Sequence, residues 1–326
     1  FNARAGARNF TLDELPEAVR YCHVRGVRVY LTLNTLVTDR ELPKVAEHIT
    51  AAARAGVDAL IVQDLGVAAL SRQIAPQLAL HASTQLTVHS LEGVRELAAL
   101  GFSCVVLSRE LPREEIAYIC RNSPVRIEVF IHGALCMCYS GQCYMSAVIG
   151  RRSGNRGQCA QPCRLPYGYG RFEATRYPLS LKDNCLVEHV RELERMGVAS
   201  VKIEGRMKRP EYVAVVTDIY RRAIDSYLAG HYEVPQEDRD NIEQIFNRDF
   251  TTAYMVNRPG RTMMSDRRPN NRGVLLGRVQ SLSKDHTAGT LKLDRDLHLG
   301  DGLEFWVSVG GRVGTSVEQM TVNGKQ

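Results

Sequence analysis

Short runs of aliphatic and β-branched residues recur along the chain, each followed by a stretch in which apolar positions return every three or four residues. The runs are Val27 to Leu33, Ala59 to Gln63, Leu78 to Ala82, Cys104 to Ser108, Ile127 to Ile131 and Ser200 to Glu204. They are continuously apolar rather than alternating, which predicts parallel strands buried on both faces. The intervening stretches carry helix start signals: Thr11 with Glu14 as a capping box, Asp39 and Ser90 as N-caps, and Pro112 and Pro210 in first turns. Strand and helix in alternation imply right-handed βαβ units, in either a doubly wound sheet or a closed barrel.

The strand ends favour the barrel. Polar or charged residues close successive runs: Asn34, Gln63 with Asp64, His81 with Ser83 and Gln85, Arg109 with Glu110, His132, and Glu204 with Arg206. Functional side chains at the C-terminal ends of consecutive strands are the habit of a (β/α)8 barrel, so an α/β fold of TIM-like type is expected over residues 1–257. Six strands do not close at ordinary tilt, and two more are expected upstream of Phe1 unless the sheet is open. Helical patterns run from Pro210 to about Ala229 and from Gln236 to Phe246. After Arg258, Pro-Gly, Asn-Asn-Arg-Gly and Gly-Asp-Gly turns separate short alternating runs, which predicts a small antiparallel β-barrel domain over residues 258–326, ending without a closing signal.

Composition narrows the class. At 44% hydrophobic and 24% charged residues the chain reads as globular, and no apolar run approaches the roughly 18 residues of a membrane span. The opening Phe-Asn-Ala-Arg has no secretory pattern and no initiator Met, as if the sequence began mid-protein. Nine cysteines, an odd number without an export signal, argue against a disulfide framework and for a reducing, cytoplasmic setting. The net charge of +6 is modest, but Arg151, Arg152 and Arg156, and Arg206, Lys208 and Arg209, form basic groups. Such groups suit a phosphate-bearing partner or are simply solvated surface.

The chemistry concentrates between Glu128 and Cys163. Cys136, Cys138, Cys143, Cys159 and Cys163 fall there, among Gly133, Gly141 and Gly157, and Cys185 follows. Thiolates are soft ligands for zinc and iron-sulfur clusters, and glycines let backbone fold closely around such a group. Paired Cys-x2-Cys knuckles of a zinc site are missing. Cys22, Cys104 and Cys120 sit instead on strand or helix faces as small hydrophobes. No His-Glu-x-x-His or Gly-x-Ser-x-Gly occurs; His132 as a base for Cys136 is the one peptidase-like pair, and it competes with a ligand role for that cysteine.

The segment Glu128-x-Phe-x-His-Gly-Ala-Leu-Cys136-x6-Cys143-x-x-Ser146, with Asn155-Arg-Gly-Gln-Cys159, closely resembles the signature of the collagenase-like peptidase family of unknown catalytic type. Lys202-Ile-Glu-Gly-Arg-Met-Lys-Arg-Pro-Glu-Tyr212, His81-Ala-Ser-Thr-Gln85 and Phe1-Asn-Ala-Arg are similar to further family segments. The resemblance implies a barrel with a strand-helix-strand before Phe1. It also implies a 4Fe-4S cluster on four cysteines, found as zinc or empty after aerobic preparation, and hydroxylation of a tRNA or rRNA pyrimidine with prephenate as a co-substrate. A collagenase-like peptidase, or an oxygen-independent hydroxylase of small molecules, is the alternative. The expected ligands are Cys136, Cys143, Cys159 and Cys185, the last at a strand-to-helix turn, with Cys163 as its competitor. His81, Gln85, Arg109, His132, Glu204 and Arg206 are expected to line the catalytic pocket, and Arg151, Arg152, Arg156 and Lys208 to meet RNA phosphates.

Overall fold

The fold was analysed in a computed structural model, which describes residues 1–168, 170, 176–205, 207–256, 260–265, 269–284, 287–306 and 312–321. The chain divides into two units, Phe1–Arg272 and Gly273–Gln326. The division falls later than the 257/258 boundary expected from turn composition, because the segment after Arg258 still bonds to the first unit. Lys182 N donates to the Met263 carbonyl, and Arg272 N to that of Asn247.

The first unit is mixed α/β around a mostly parallel sheet. Strands β1 (Tyr30–Leu33), β2 (Ala59–Val62), β3 (Ala79–Ala82), β4 (Cys104–Val106) and β5 (Arg126–Ala134) pair in chain order, all parallel. Two strands share the long β5: β6 (Asp183–Cys185) runs antiparallel along His132 to Ala134, and β7 (Ser200–Ile203) runs parallel from Glu128. A short β8 (Phe250–Thr251) pairs with β6. Sequence patterning missed β6 and β8, which have two or three residues each and no apolar run to mark them. Among the described strands β1 pairs only with β2, so the sheet does not close on itself.

Helices α1 (Leu15–His23), α2 (Leu42–Ala55), α3 (Leu65–Ile74), α4 (Leu91–Ala99), α5 (Arg113–Asn122), a one-and-a-half-turn α6 (Met145–Gly150), α7 (Val190–Arg195), α8 (Pro210–Leu228), α9 (Gln236–Ile245) and α10 (Ala253–Val256) complete the unit. Local chemistry sets their ends. Thr11 and Glu14 form the reciprocal capping bonds ahead of α1, Ser90 accepts from Gly93 N at α4, and Pro210 opens α8. Asp39 is not a cap. Thr38 takes that place, with Glu41 reaching back to its backbone, because Asp39 already lies inside a short 3-10 turn.

Alternation along the strands sorts the two faces. Leu60, Val62, Leu80, Ala82, Val105, Ile127 and Ile131 point to the helices and are almost wholly buried against residues such as Val45, Ile49, Val94 and Ile219. Burying each aliphatic side chain contributes about 1.5–3 kcal/mol, and this layer holds the sheet. The other face carries Tyr30, His81, Arg126, Glu128, Phe130, Ser200 and Lys202, in contact with one another.

In the second unit the described residues form two antiparallel hairpins, β9 (Gly277–Leu282) with β10 (Gly289–Leu293), and β11 (Gly302–Trp306) with β12 (Arg312–Ser316). No ladder joins the two hairpins among the described residues, so the small β-barrel expected there is not formed by them.

Candidate functional site

Two groups of residues stand at the C-terminal edge of the sheet: a buried polar and aromatic cluster behind β5, and the cysteine loops that follow it.

The cysteine loops are tied down by the strand ends. Ser140 donates through its amide and hydroxyl to Glu110 Oε1, both at 3.1 Å, and its carbonyl accepts from Thr87 Oγ1 at 2.7 Å. Gly141, at φ +78°, lies so close to the Gln85 carbonyl that any Cβ there would collide with it. Gln63 Nε2 donates to that same carbonyl at 3.3 Å. Gln85 thus serves the site through its backbone, as a seat for the loop, and nothing places its amide in a pocket. On the other side Ala160 N donates to Ser146 Oγ at 2.9 Å, and Gly154 lies between the Cys159 Cβ and the Cys143 carbonyl.

This anchoring gathers five thiols. Burial and then the Cys143 thiol, with a smaller contribution from Cys136, push Cys138 up. Burial also raises Cys163; Arg164 opposes it, and Cys136, Cys159 and Cys143 add to it. Among the described residues, however, no three His, Cys, Asp or Glu side chains already converge as metal ligands. Cys138, which is not among the expected ligands, belongs to the group. Cys185 does not join it. It ends β6 opposite His132, with its thiol 4.0 Å from Tyr220 Oη, pushed up to about 11 by burial, and the groups acting on it are Val187, Tyr220, Glu188 and Asp183.

The polar cluster is built on Asp183. Its carboxylate accepts from Arg248 Nε at 3.0 Å and Nη2 at 2.5 Å, with both residues buried. Buried Arg164 is held by Ser180 Oγ at 2.7 Å and by the Leu181 and Leu135 carbonyls. The Lys208 side chain lies against the Phe246 ring and near that of Tyr212, its ammonium making no hydrogen bond or ion pair among the described residues. Burial, then Arg248, bring its ammonium down to about 7. Lys208 therefore faces inward and is not the surface phosphate contact expected of it.

His132 is buried beside Tyr220, Tyr212 and Phe250, with Nδ1 3.3 Å from Tyr220 Oη. Burial lowers it to about 4, so it is neutral at physiological pH. His81 is likewise held at about 4 by burial; Glu128 opposes the shift and Arg126 adds to it. It stacks edge-on to Tyr30 and lies 3.3 Å from Arg126 Nη2. Arg109 lies 3.7 Å above the Phe130 ring. Glu204 pairs with Arg4 at 3.1 Å, its carbonyl against Gly133, where φ is +103°. Arg206 lies outside the described residues.

Two residues expected to contact ligands have structural partners. Asn34 accepts from Ala3 N and donates to Ser83 Oγ. Arg156 makes a two-pronged pair with Glu41 at 2.9 and 2.6 Å, which holds that carboxylate down at about 2. Arg151 and Arg152 remain exposed.

Sequence reasoning missed Asp183, Arg248, Arg164 and the rings of Tyr212, Phe246 and Phe250. Asp183 and Arg248 are 65 positions apart and in no motif with each other. Buried oxygens without a partner mark the same edge: Gln63 Oε1, Ser108 Oγ, Glu110 Oε2 and Asn184 Oδ1.

No helix among the described residues is long and apolar enough to cross a membrane. The chain is 37% identical over 97% of its length to the 23S rRNA 5-hydroxycytidine C2501 synthase of Escherichia coli (strain K12), of which it spans 50%. It is 32% identical over 94% of its length to tRNA hydroxylation protein P1 of Bacillus subtilis (strain 168), covering 76% of that protein. A collagenase of Porphyromonas gingivalis (strain ATCC BAA-308 / W83) is 35% identical over 78% of the chain, which covers 66% of it. The family model for peptidase family U32 matches residues 1–265, and the chain belongs to that family.

Proposed function

We propose that this chain is the catalytic part of an enzyme that hydroxylates a pyrimidine base of tRNA or rRNA. The observation that carries the reading is the gathering of Cys136, Cys143, Cys159 and Cys163 beside a polar pocket at the C-terminal sheet edge. The relatives named for rRNA and tRNA hydroxylation support it. The donor set fits a 4Fe-4S cluster: four soft thiols on loops whose glycines, Gly141 and Gly157, hold left-handed backbone against neighbouring chain. Cys163 replaces Cys185 as fourth ligand in this proposal, because its neighbours are the other cysteines. When bound, the cluster supplies electron transfer beside the base.

The remaining tasks fall to the chain's own residues. Lys208, Arg248 and Arg164 lie in the field of Asp183, and the other carboxylate acting on Lys208, Glu204, is paired with Arg4, so an acidic co-substrate such as prephenate would complete their charge. Tyr212, Phe246 and Phe250 exclude water from that pocket. The polar sheet face with Glu128, Lys202 and His81 supports reading the sheet as an arc of a (β/α) barrel, this face turned to the lumen.

The peptidase alternative needs a thiol lowered by an imidazolium. His132, the expected base for Cys136, is held near 4 by burial and has Tyr220, Tyr212 and Phe250 as its neighbours, with no hydrogen bond to Cys136 among the described residues. The test is mass spectrometry of tRNA and rRNA nucleosides from a host stripped of its own relatives. Expression of the full protein is expected to yield a pyrimidine nucleoside heavier by one oxygen, absent with Cys136→Ala. Unchanged nucleosides, with collagen peptides cleaved by the same protein, would refute the reading.

A further inference from the structure

The cysteine loops carry an exposed apolar surface. Tyr139 is 66% exposed, Tyr144 62%, Val148 82% and Ile149 64%. This is not a frayed segment. Ser146 on α6 is buried and bonded to Ala160 N, Arg152 Nε donates to the Gln158 carbonyl at 3.1 Å, and Gln142 donates to Thr87 Oγ1 at 2.8 Å. The fold holds these side chains out in water.

Their register has a consequence. Tyr144 and Val148 stand at i and i+4, at the N-cap and within α6, and Arg151 ends the helix. The helix closes on Arg151 itself, in left-handed conformation at φ 53°. Arg151 has no carboxylate partner among the described residues, and Arg152 uses only its Nε. Tyr144 adjoins Cys143, and Tyr139 adjoins Cys138. Along the sequence this segment carries charge of one sign, and the carboxylates that reach it from elsewhere, Glu110 at Ser140 and Glu41 at Arg156, are engaged in anchoring it. From Val129 to Phe172 the chain contains no Asp or Glu, but five arginines: Arg151, Arg152, Arg156, Arg164 and Arg171.

A rigid aromatic and arginine segment with no Asp or Glu of its own matches a strand of unstacked nucleotides: rings stack on bases, guanidiniums meet phosphates. A duplex offers no free base faces, and a protein partner would not call for an acid-free stretch. We propose that Tyr139 and Tyr144 form a stacking platform that holds unpaired nucleotides of the RNA beside the cysteine group, with Arg151 and Arg152 on the adjoining phosphates. This deepens the RNA reading and rests on it. Stacking delivers the target base unpaired to the thiol-lined edge, while Arg156, locked onto Glu41, braces the loop from behind.

The test uses the full protein and two RNA probes of one sequence, a hairpin with 2-aminopurine in its loop and a complete duplex. The parent is expected to bind the hairpin and quench its fluorescence. Replacing both Tyr139 and Tyr144 by Ala is expected to weaken hairpin binding by about 10- to 100-fold, the size of one or two lost stacks, and to abolish quenching. Phe at both positions should stay within about 2-fold of the parent, since the ring is kept. The Arg151→Ala, Arg152→Ala pair should weaken both probes and flatten the salt dependence. Hairpin binding and quenching unchanged in the double Ala protein would overturn the platform alone. A parent that binds neither probe would overturn the RNA reading beneath it. Self-association of the parent that disappears in Val148→Ser, Ile149→Ser, with hairpin binding intact, would assign the surface to a protein contact and also refute the platform.

Discussion

Replacing Asp183 with Leu is expected to destabilise the first unit by about 3–5 kcal/mol, read as a large fall in thermal midpoint or as insoluble protein. The carboxylate is buried and bonded through two Arg248 nitrogens, with Arg164 and Lys208 also within its field. Removing one partner of a buried pair leaves the other charged and unsolvated, and here Arg248 would be left facing Arg164 without its bonded carboxylate. Leu fills the volume, so the loss reports charge rather than a cavity. A companion change, Arg248→Met with Asp183→Leu, removes both charges of the bonded pair and should recover much of the loss. If the single variant melts like the parent, Asp183 is not the counterion of the pocket.

Lys208→Met is expected to do the opposite: the fold is kept or strengthened and the reaction is lost. The ammonium pKa near 7 lies well below the ordinary lysine value, so the folded state disfavours the proton. The cost is complete below about pH 7 and fades as the pH rises towards 10.5, where the unfolded chain also loses the proton. The variant should therefore melt higher than the parent at pH 6, by an amount that shrinks as the pH rises from about 7 towards 10.5. An acidic co-substrate restores the proton when it binds, so in the parent its affinity should fall as pH rises above 7, and the variant should lose that slope. The loss of turnover at saturating RNA is expected to be about 100-fold or more, the usual size when one donor to an anion is removed from a dry site. A variant with parental turnover and the same pH slope would return Lys208 to a purely structural role.

The strands and most helix starts were legible because each is a local matter. Continuous apolar runs marked β1 to β5 and β7, and reciprocal capping chemistry marked the approach to α1. The cysteine loops were legible through their composition. What stayed hidden was long-range pairing. Nothing near Arg156 in sequence announces Glu41, so a surface phosphate contact was expected where the fold has a brace. Lys208 stands in a basic run that reads as solvated, yet Phe246 from the end of α9 draws it inward. Cys185 looked like a loop thiol because β6 is too short to show a pattern; paired to β5, it faces Tyr220 instead.

The central claim, a cluster held by four loop thiols at the edge of an RNA-modifying pocket, is tested most directly by iron and acid-labile sulfide analysis after anaerobic reconstitution of the parent, Cys163→Ser and Cys185→Ser proteins. About four irons and four sulfides per chain are expected for the parent and for Cys185→Ser, with most of both lost in Cys163→Ser. Full loading of Cys163→Ser with loss in Cys185→Ser would contradict the ligand set, and a parent that takes up no iron or sulfide would contradict the cluster itself.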